Sequence, residues 1–241
     1  MPIYKLLTVG LLTTIGTLAL AQNSDPDLSF EGMGSGWQVA TFPQQKMPVT
    51  RYQGESVDGR ASVRMEARSS YGPLVHAFTP PQPITQLQWS WRVAQQGAAI
   101  DLRSKAGDDS AAKVCLSFVW DDARVPFLER QLLRLARLST GQALPASTLC
   151  WVWGALEAAG EAIDNPYSRR VRSIVLRNVT DVGTAWFDER RDVMRDLRQT
   201  FGDEWPAGAA APLVTAVFIA ADADNTASHS IGWVSKLHYA P

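Results

Sequence analysis

The stretch Lys105-Ala106-Gly107-Asp108-Asp109 sets one cation and two adjacent carboxylates in a tight turn between two strand-like segments. A second acidic turn carries Asp222, Asp224 and Asn225 just ahead of the last strand-like segment. Oxygens clustered in this way bind a hard cation such as calcium, supply the two carboxylates of glycoside hydrolysis, or hydrogen-bond their own backbone as an ordinary turn. The second turn does not follow the EF-hand calcium loop, because Ala227 stands where glycine is required and Trp233 where the bidentate glutamate belongs. If the two turns meet, Asp108, Asp109, Asp222 and Asp224 crowd like charges together, an arrangement that needs compensating cations. Lys105 and Arg92 are the expected compensators. The candidate site is then a polar cluster of Arg92, Lys105, Asp108, Asp109, Asp222, Asp224 and Asn225, with no cofactor; calcium held by the same four aspartates is the alternative.

Other familiar chemistries lack their residues. The glycine-rich Gly32–Gly36 stretch matches neither a phosphate-cradling loop nor a dinucleotide fingerprint, and Met33 occupies the first glycine position of a nucleophile elbow around Ser35. His76, His229 and His238 do not have metalloprotease spacing. Cys115 and Cys150 form no C-x-x-C; they are either a disulfide pair or two buried thiols. No catalytic residue is assigned.

These side chains must be positioned by a chain that alternates. Residues 61–67 place Ala61, Val63, Met65 and Ala67 on one side against Ser62, Arg64 and Glu66, and residues 87–93 place Leu87, Trp89, Trp91 and Val93 inward against Gln88, Ser90 and Arg92. The last strand is expected to put Ile231, Trp233, Leu237 and Tyr239 on one side. Further strands are expected over 36–42, 49–53, 73–79, 112–120, 148–154, 171–177, 182–187 and 213–221. Short strands divided by Gly, Pro, Asp and Asn predict an all-β fold, a jelly-roll-like antiparallel β-sandwich. Two helical periods interrupt it. Around residues 125–141, Leu128, Leu132, Leu135 and Leu138 line one face and Arg130, Arg134 and Arg137 the other, which predicts a helix covering a sheet with its leucines; a basic helix on an anionic membrane is the second reading. The second helix is expected within 188–202, with Val193, Leu197 and Phe201 on its packing face and Gly202 as its stop.

Residues 1–21 read as a signal peptide: Lys5, an apolar run from Leu6 to Leu20, and the Ala19-Leu20-Ala21 pattern a signal peptidase accepts. Residues 22–241 are then one exported domain, periplasmic or secreted, with no stable membrane insertion. Loss of Lys5 moves the formal charge from -1 to -2, which excludes the basic balance of a nucleic-acid binder. Indoles at alternate positions, Trp89 with Trp91 and Trp151 with Trp153, suit a sugar-stacking surface or a core equally, and the apolar Cys150 and Val152 leave the second pair undecided.

Taken together, the segments WSWRV, IDLRSKAGDDSAAKVCLSFVW, LCWVWG, NPYSRRVRSIVLR, ERRDVMRDLRQTFG and AADADNT resemble a bacterial family catalogued as domain of unknown function 3047. Its pattern falls on Trp89, Trp91, Arg92, Lys105, Asp108, Asp109, Trp153, Tyr167, Arg191, Asp192, Asp222, Asp224 and Asn225. The resemblance implies an exported single-domain protein and no activity. The expected function is a non-catalytic binding module for a glycan or another envelope component, by analogy with other sandwich folds. The alternative is a hydrolase or lyase that cuts an envelope polysaccharide with carboxylates of the two acidic turns.

Overall fold

The computed structural model describes residues 36–41, 45–141, 144–205 and 208–241; the expected leader, 1–21, lies outside them. The strands are β1 (Gln38–Val39), β2 (Arg51–Val57), β3 (Arg60–Arg68), β4 (Leu74–Gln82), β5 (Gln86–Gln95), β6 (Ser110–Phe118), β7 (Thr148–Trp153), β8 (Ala162–Asn165), β9 (Ser168–Arg177), β10 (Phe187–Asp192), β11 (Val214–Asp222) and β12 (His229–Ala240). The helices are α1 (Phe127–Thr140) and α2 (Val193–Phe201). A seven-stranded sheet in the order β1-β4-β11-β6-β7-β9-β8 faces a five-stranded sheet in the order β10-β5-β12-β3-β2. The fold is a mostly antiparallel β-sandwich of the jelly-roll type; β7 and β9 pair in parallel. Among the described residues no helix is long and apolar enough to cross a membrane.

The inward faces meet in a core whose centre is four indoles. Trp89 and Trp91 from β5 project into the sandwich, where their rings lie 5.5 Å from those of Trp151 and Trp153 of β7. All four are essentially inaccessible. Burying an indole strands its N–H unless a partner is supplied. Trp91 donates to Glu189, Trp151 to Asp196 and Trp153 to the Asn178 carbonyl. β7 is buried on both faces because the loops around Ile100, Leu102 and Ala155 form a second layer over its outer side, where Cys115, Cys150, Val152, Ile163 and Val175 cluster. That layer explains why Cys150 and Val152 are as apolar as the tryptophans beside them.

Three expectations change. First, β12 does not keep one alternation throughout. Its register shifts between Ser235 and His238, and Lys236 takes a left-handed φ of 52°. A bulge adds one residue and reverses the side-chain parity. Leu237 joins the core, whereas Trp233 lies on the outer face between its strand partners Arg64 and Arg92. There the guanidinium of Arg92 sits 4.4 Å from the Trp233 ring and 5.5 Å from Trp186, and Arg60 and Arg64 flank the same two rings, giving an outer stack of arginines and indoles.

Second, the strand expected over 182–187 lies later, at Phe187–Asp192, and α2 begins at Val193, where the Asp192 side chain caps the helix by accepting from the Arg195 N–H. Third, α1 is turned round. Leu128, Leu132, Leu135 and Leu138 are 74%, 65%, 63% and 82% exposed, and the inward contact is Leu133 against Val125 and Ala146. Ion pairs hold this orientation: Glu129 pairs with Arg170 and Arg137 with Asp122 at 2.8 Å, so the polar face lies against the body of the protein.

Cys115 and Cys150 lie directly opposite each other on β6 and β7 with their Cα atoms 4.1 Å apart, and they form a disulfide that closes the excursion carrying α1. Reduction of this bond is expected to lower stability by roughly 3–4 kcal/mol, the chain-entropy value for a sequence separation of 35 residues. Urea denaturation with and without a reductant checks it; an unchanged midpoint would show that the surrounding sheet alone sets the geometry.

Candidate functional site

The turn from Asp101 to Asp109 is built on its own backbone. Asp101 N–H donates to the Gly107 carbonyl, Gly107 N–H to Ser104, and Asp109 N–H back to Gly107. A Cβ on Gly107 would stand 2.6 Å from the Asp101 nitrogen, so only glycine closes this loop. The closure turns Asp108 and Asp109 inward: they are 9% and 0% exposed.

Asp109 and Asp222 bind this turn to the one preceding β12. Asp109 accepts from the Thr226 backbone at 2.7 Å and hydroxyl at 2.6 Å, and from the Asn225 backbone at 3.2 Å. Asp222, at the end of β11, accepts from the Ser110 N–H at 2.6 Å and from the Lys113 ammonium at 2.6 Å. Asp108 accepts from the Asn165 amide at 2.5 Å, which ties in the edge hairpin of β8 and β9. Tyr167, on that hairpin, donates to Asn225 or to the Lys105 carbonyl, and the Lys105 ammonium rests 5.2 Å from its ring centre. The two acidic turns and the edge hairpin therefore share one set of bonds.

Lys113 stands outside the cluster that the sequence predicts, and Arg92 is not part of the cluster that the structure forms. Alternation puts Arg92 on the outer face of the five-stranded sheet, where it pairs with Asp58 at 3.1 Å. Lys105 is exposed and covers Tyr167 rather than a carboxylate. The compensating cation is Lys113, whose only trace in the sequence is a lone charge inside a strand that is otherwise apolar or small. Burial works against its ammonium, but Asp222 and Asp108 outweigh burial and hold its pKa above the usual lysine value. Burial pushes Asp222 up to about 7, and Lys113, which also serves Asp108, offsets only part of that rise. Burial also raises Asp108, and raises Asp224 with help from the Asp109 charge. Among the described residues no group of three or more His, Cys, Asp or Glu side chains is arranged to hold a metal ion.

Two hollows lie beside this cluster, and both touch Ile163 of β8. The inner one, of about 30 Å³, is lined by Asp108, Lys113 and Asn165 and has room for roughly two water molecules. The outer one is a groove of about 460 Å³ between β8 and α2, lined by Arg103, Glu161, Ala162, Asp164, Arg172, Gln199 and Thr200. Its charges are paired across the groove wall: Arg103 with Glu161, and Asp164 with Arg169 at 3.0 Å. Arg103 holds Glu161 below the usual carboxylate range. The floor is rigid. Arg172 stacks 4.3 Å from the Phe201 ring centre and reaches Glu204 at 2.6 Å, which also holds Arg170 at 2.5 Å. Of the residues matching the family pattern, Arg191 grips Asp196 through two bonds of 2.7 and 2.9 Å and Asp192 caps α2, so both secure the helix that forms one groove wall.

Asp222 makes Lys113→Met a pH-dependent lesion. An aspartate whose folded pKa lies near 7 carries a proton that the unfolded chain, near 3.9, releases. Between about pH 4 and 7 the fold therefore loses stability on this group as pH rises. Lys113 itself stays charged throughout that window, since its contribution is lost only above the ordinary lysine range. Removing the ammonium should cost about 3–5 kcal/mol at pH 8, where Asp222 is ionised and buried, and distinctly less at pH 5, where it is neutral. Guanidinium denaturation of both proteins at the two pH values tests this; an equal loss at pH 5 and pH 8 would mean that Asp222 does not titrate.

No curated protein matches this chain. Among solved structures, the xyloglucanase domain of NopAA, a type three effector from Sinorhizobium fredii in complex with cellobiose, aligns with a TM-score of 0.39 at 11% identity, covering 85% of this chain and 92% of that one. Endoglucanase 3 of Trichoderma harzianum, from family GH12, aligns with a TM-score of 0.40 at 10% identity, covering 86% and 99%. Residues 35–238 match a family described as protein of unknown function, DUF3047, and the chain belongs to that family.

Proposed function

We propose that the protein is a non-catalytic binding module for a glycan of the cell envelope, which it holds in the groove between β8 and α2. The observation that carries this reading is the groove itself. At about 460 Å³ it lies within the roughly 300–1,000 Å³ range of ligand pockets. Its walls present guanidinium forks, carboxylates and the Gln199 amide, which match the paired donors and acceptors of vicinal hydroxyl groups. Arg103 and Asp164 are about half exposed and Glu161 about a third, all within reach of a ligand, while Arg172 beneath them is fixed by Phe201, Asp203 and Glu204.

The distribution of acidity supports binding over cleavage. Glycoside hydrolysis needs a carboxylic acid whose pKa is raised beside the scissile bond. Glu161, in the groove, is lowered by Arg103 and stays an ionised acceptor. Asp222 and Asp108, which are raised, are turned inward and spent on Ser110, Lys113 and Asn165. The module acts outside the cytoplasm after removal of residues 1–21, a reading that the Cys115–Cys150 disulfide supports because such bonds persist in oxidising compartments.

Glycan-array screening of the purified protein, followed by calorimetry on the best ligand, tests the proposal. Arg103→Ala should weaken binding at least about tenfold, near the loss of one charge-assisted hydrogen bond, and leave the melting temperature unchanged. Release of new reducing ends from a bound polysaccharide would instead establish the hydrolase. Material recovered from the periplasm should begin at Gln22.

A further inference from the structure

Among the described residues, α1 carries a run of exposed large apolar side chains on one face. Phe127, Leu128, Leu132, Leu135 and Leu138 are each between 63% and 82% exposed. Leu128, Leu132 and Leu135 follow the four-then-three spacing of a coiled-coil seam, with Leu138 and Phe127 flanking it. Together these side chains present on the order of 600 Å² of apolar surface, taking ~150–250 Å² for a large side chain. That is the upper end of the roughly 300–600 Å² patch a monomer leaves in water.

The helix cannot turn to hide this face. Its opposite side is anchored by Glu129 to Arg170, whose guanidinium is buried, and by Arg137 to Asp122 and to the Leu144 carbonyl at 2.9 Å. We propose that α1 pairs with α1 of a second copy of this chain, seam against seam about a two-fold axis.

Area and charge both favour that occupant. Two such patches laid face to face remove roughly 1,200 Å² from water, the threshold of a specific interface, and a two-fold contact lets one patch serve as both sides. An antiparallel crossing also sets each helix N-terminus beside its mate's C-terminus, the favourable arrangement of the two macrodipoles. An anionic lipid surface fits less well, because a helix lying on lipid needs its basic side chains free beside the apolar face. Arg137 is spent on Asp122, and Arg130 is half-buried and directed to the Asp122 carbonyl, which leaves Arg134 as the exposed arginine of the helix. The seam itself carries leucines and no charge, as self-pairing requires.

Sedimentation velocity on the purified protein over a concentration series tests the inference. Wild type should sediment as a dimer in the micromolar range. A double Leu132→Asp, Leu135→Asp variant should sediment as a monomer, with the dissociation constant raised at least about 100-fold and an unchanged circular dichroism spectrum. Leu156→Asp, an equally drastic change at an 88% exposed position away from the helix, should leave the dimer intact. The inference fails if wild type is monomeric at on the order of 100 μM, or if the dimer survives the double substitution. A monomeric wild type that co-sediments with anionic phosphatidylglycerol vesicles would give the face to lipid instead.

Discussion

The bond between Lys113 and Asp222 is the point from which one end of the sandwich is organised. Both groups sit on the outer side of the seven-stranded sheet and out of water, where an unpaired charge would not be tolerated and a paired one still needs hydrogen bonds for its remaining valences. Asp222 finds its second donor in the Ser110 backbone, and the negative charge of Asp108 helps to keep Lys113 protonated. Each of those partners carries a further segment with it. Ser110 continues from the turn closed by Gly107, and Asp108 reaches the edge hairpin through Asn165. Because each link satisfies a group that would otherwise be stranded, the loops here have far less freedom than their length suggests.

That constraint extends to the groove. The loop from Ile100 to Asp109 covers the outer face of β7 with Ile100 and Leu102, and Glu157, 2% exposed, fastens the neighbouring loop by accepting from the Leu102 and Ala155 N–H groups. Arg103, the next residue, is thereby placed at the rim. The opposite wall belongs to α2, whose register is set by the Asp192 cap and by Asp196, shared between Trp151 and Arg191. Core indole, helix and groove are coupled through this one aspartate. The groove is therefore presented on elements that the fold fixes from both sides.

Ion pairing also explains the unusual pose of α1. Hydrophobic patterning alone would turn its leucines toward the sheet, but the surface beneath presents the Arg170 guanidinium and the Asp122 carboxylate, which pair with Glu129 and Arg137 and hold the polar face inward. The arginine and indole stack on the other sheet has a similar logic. Trp233 is an outward tryptophan, and it becomes compatible with that position because Arg64 and Arg92 cover its faces while its N–H reaches Glu55.

What could be read from residues alone follows from backbone periodicity. Alternation over 61–67 and 87–93 assigns the inner and outer faces of β3 and β5 correctly, because an uninterrupted strand has no freedom to do otherwise, and it carries the sandwich class with it. Acidic clusters at 108–109 and 222–224 mark turns for the same local reason. Parity beyond a bulge is not legible: Lys236 inserts one residue in β12, and nothing in Ser235-Lys236-Leu237 announces it. Nor is the partner of a buried charge, since Lys113 and Asp222 are separated by 109 positions and meet only because β11 and β6 pair. Arg92, on the strand that leads into the first turn, points away from it by the alternation that makes Trp91 a core residue. The helical period of α1 was plain and its orientation was not, because a period shows that a helix has two faces, while the choice between them rests on Arg170 and Asp122, which only the tertiary fold brings beneath it.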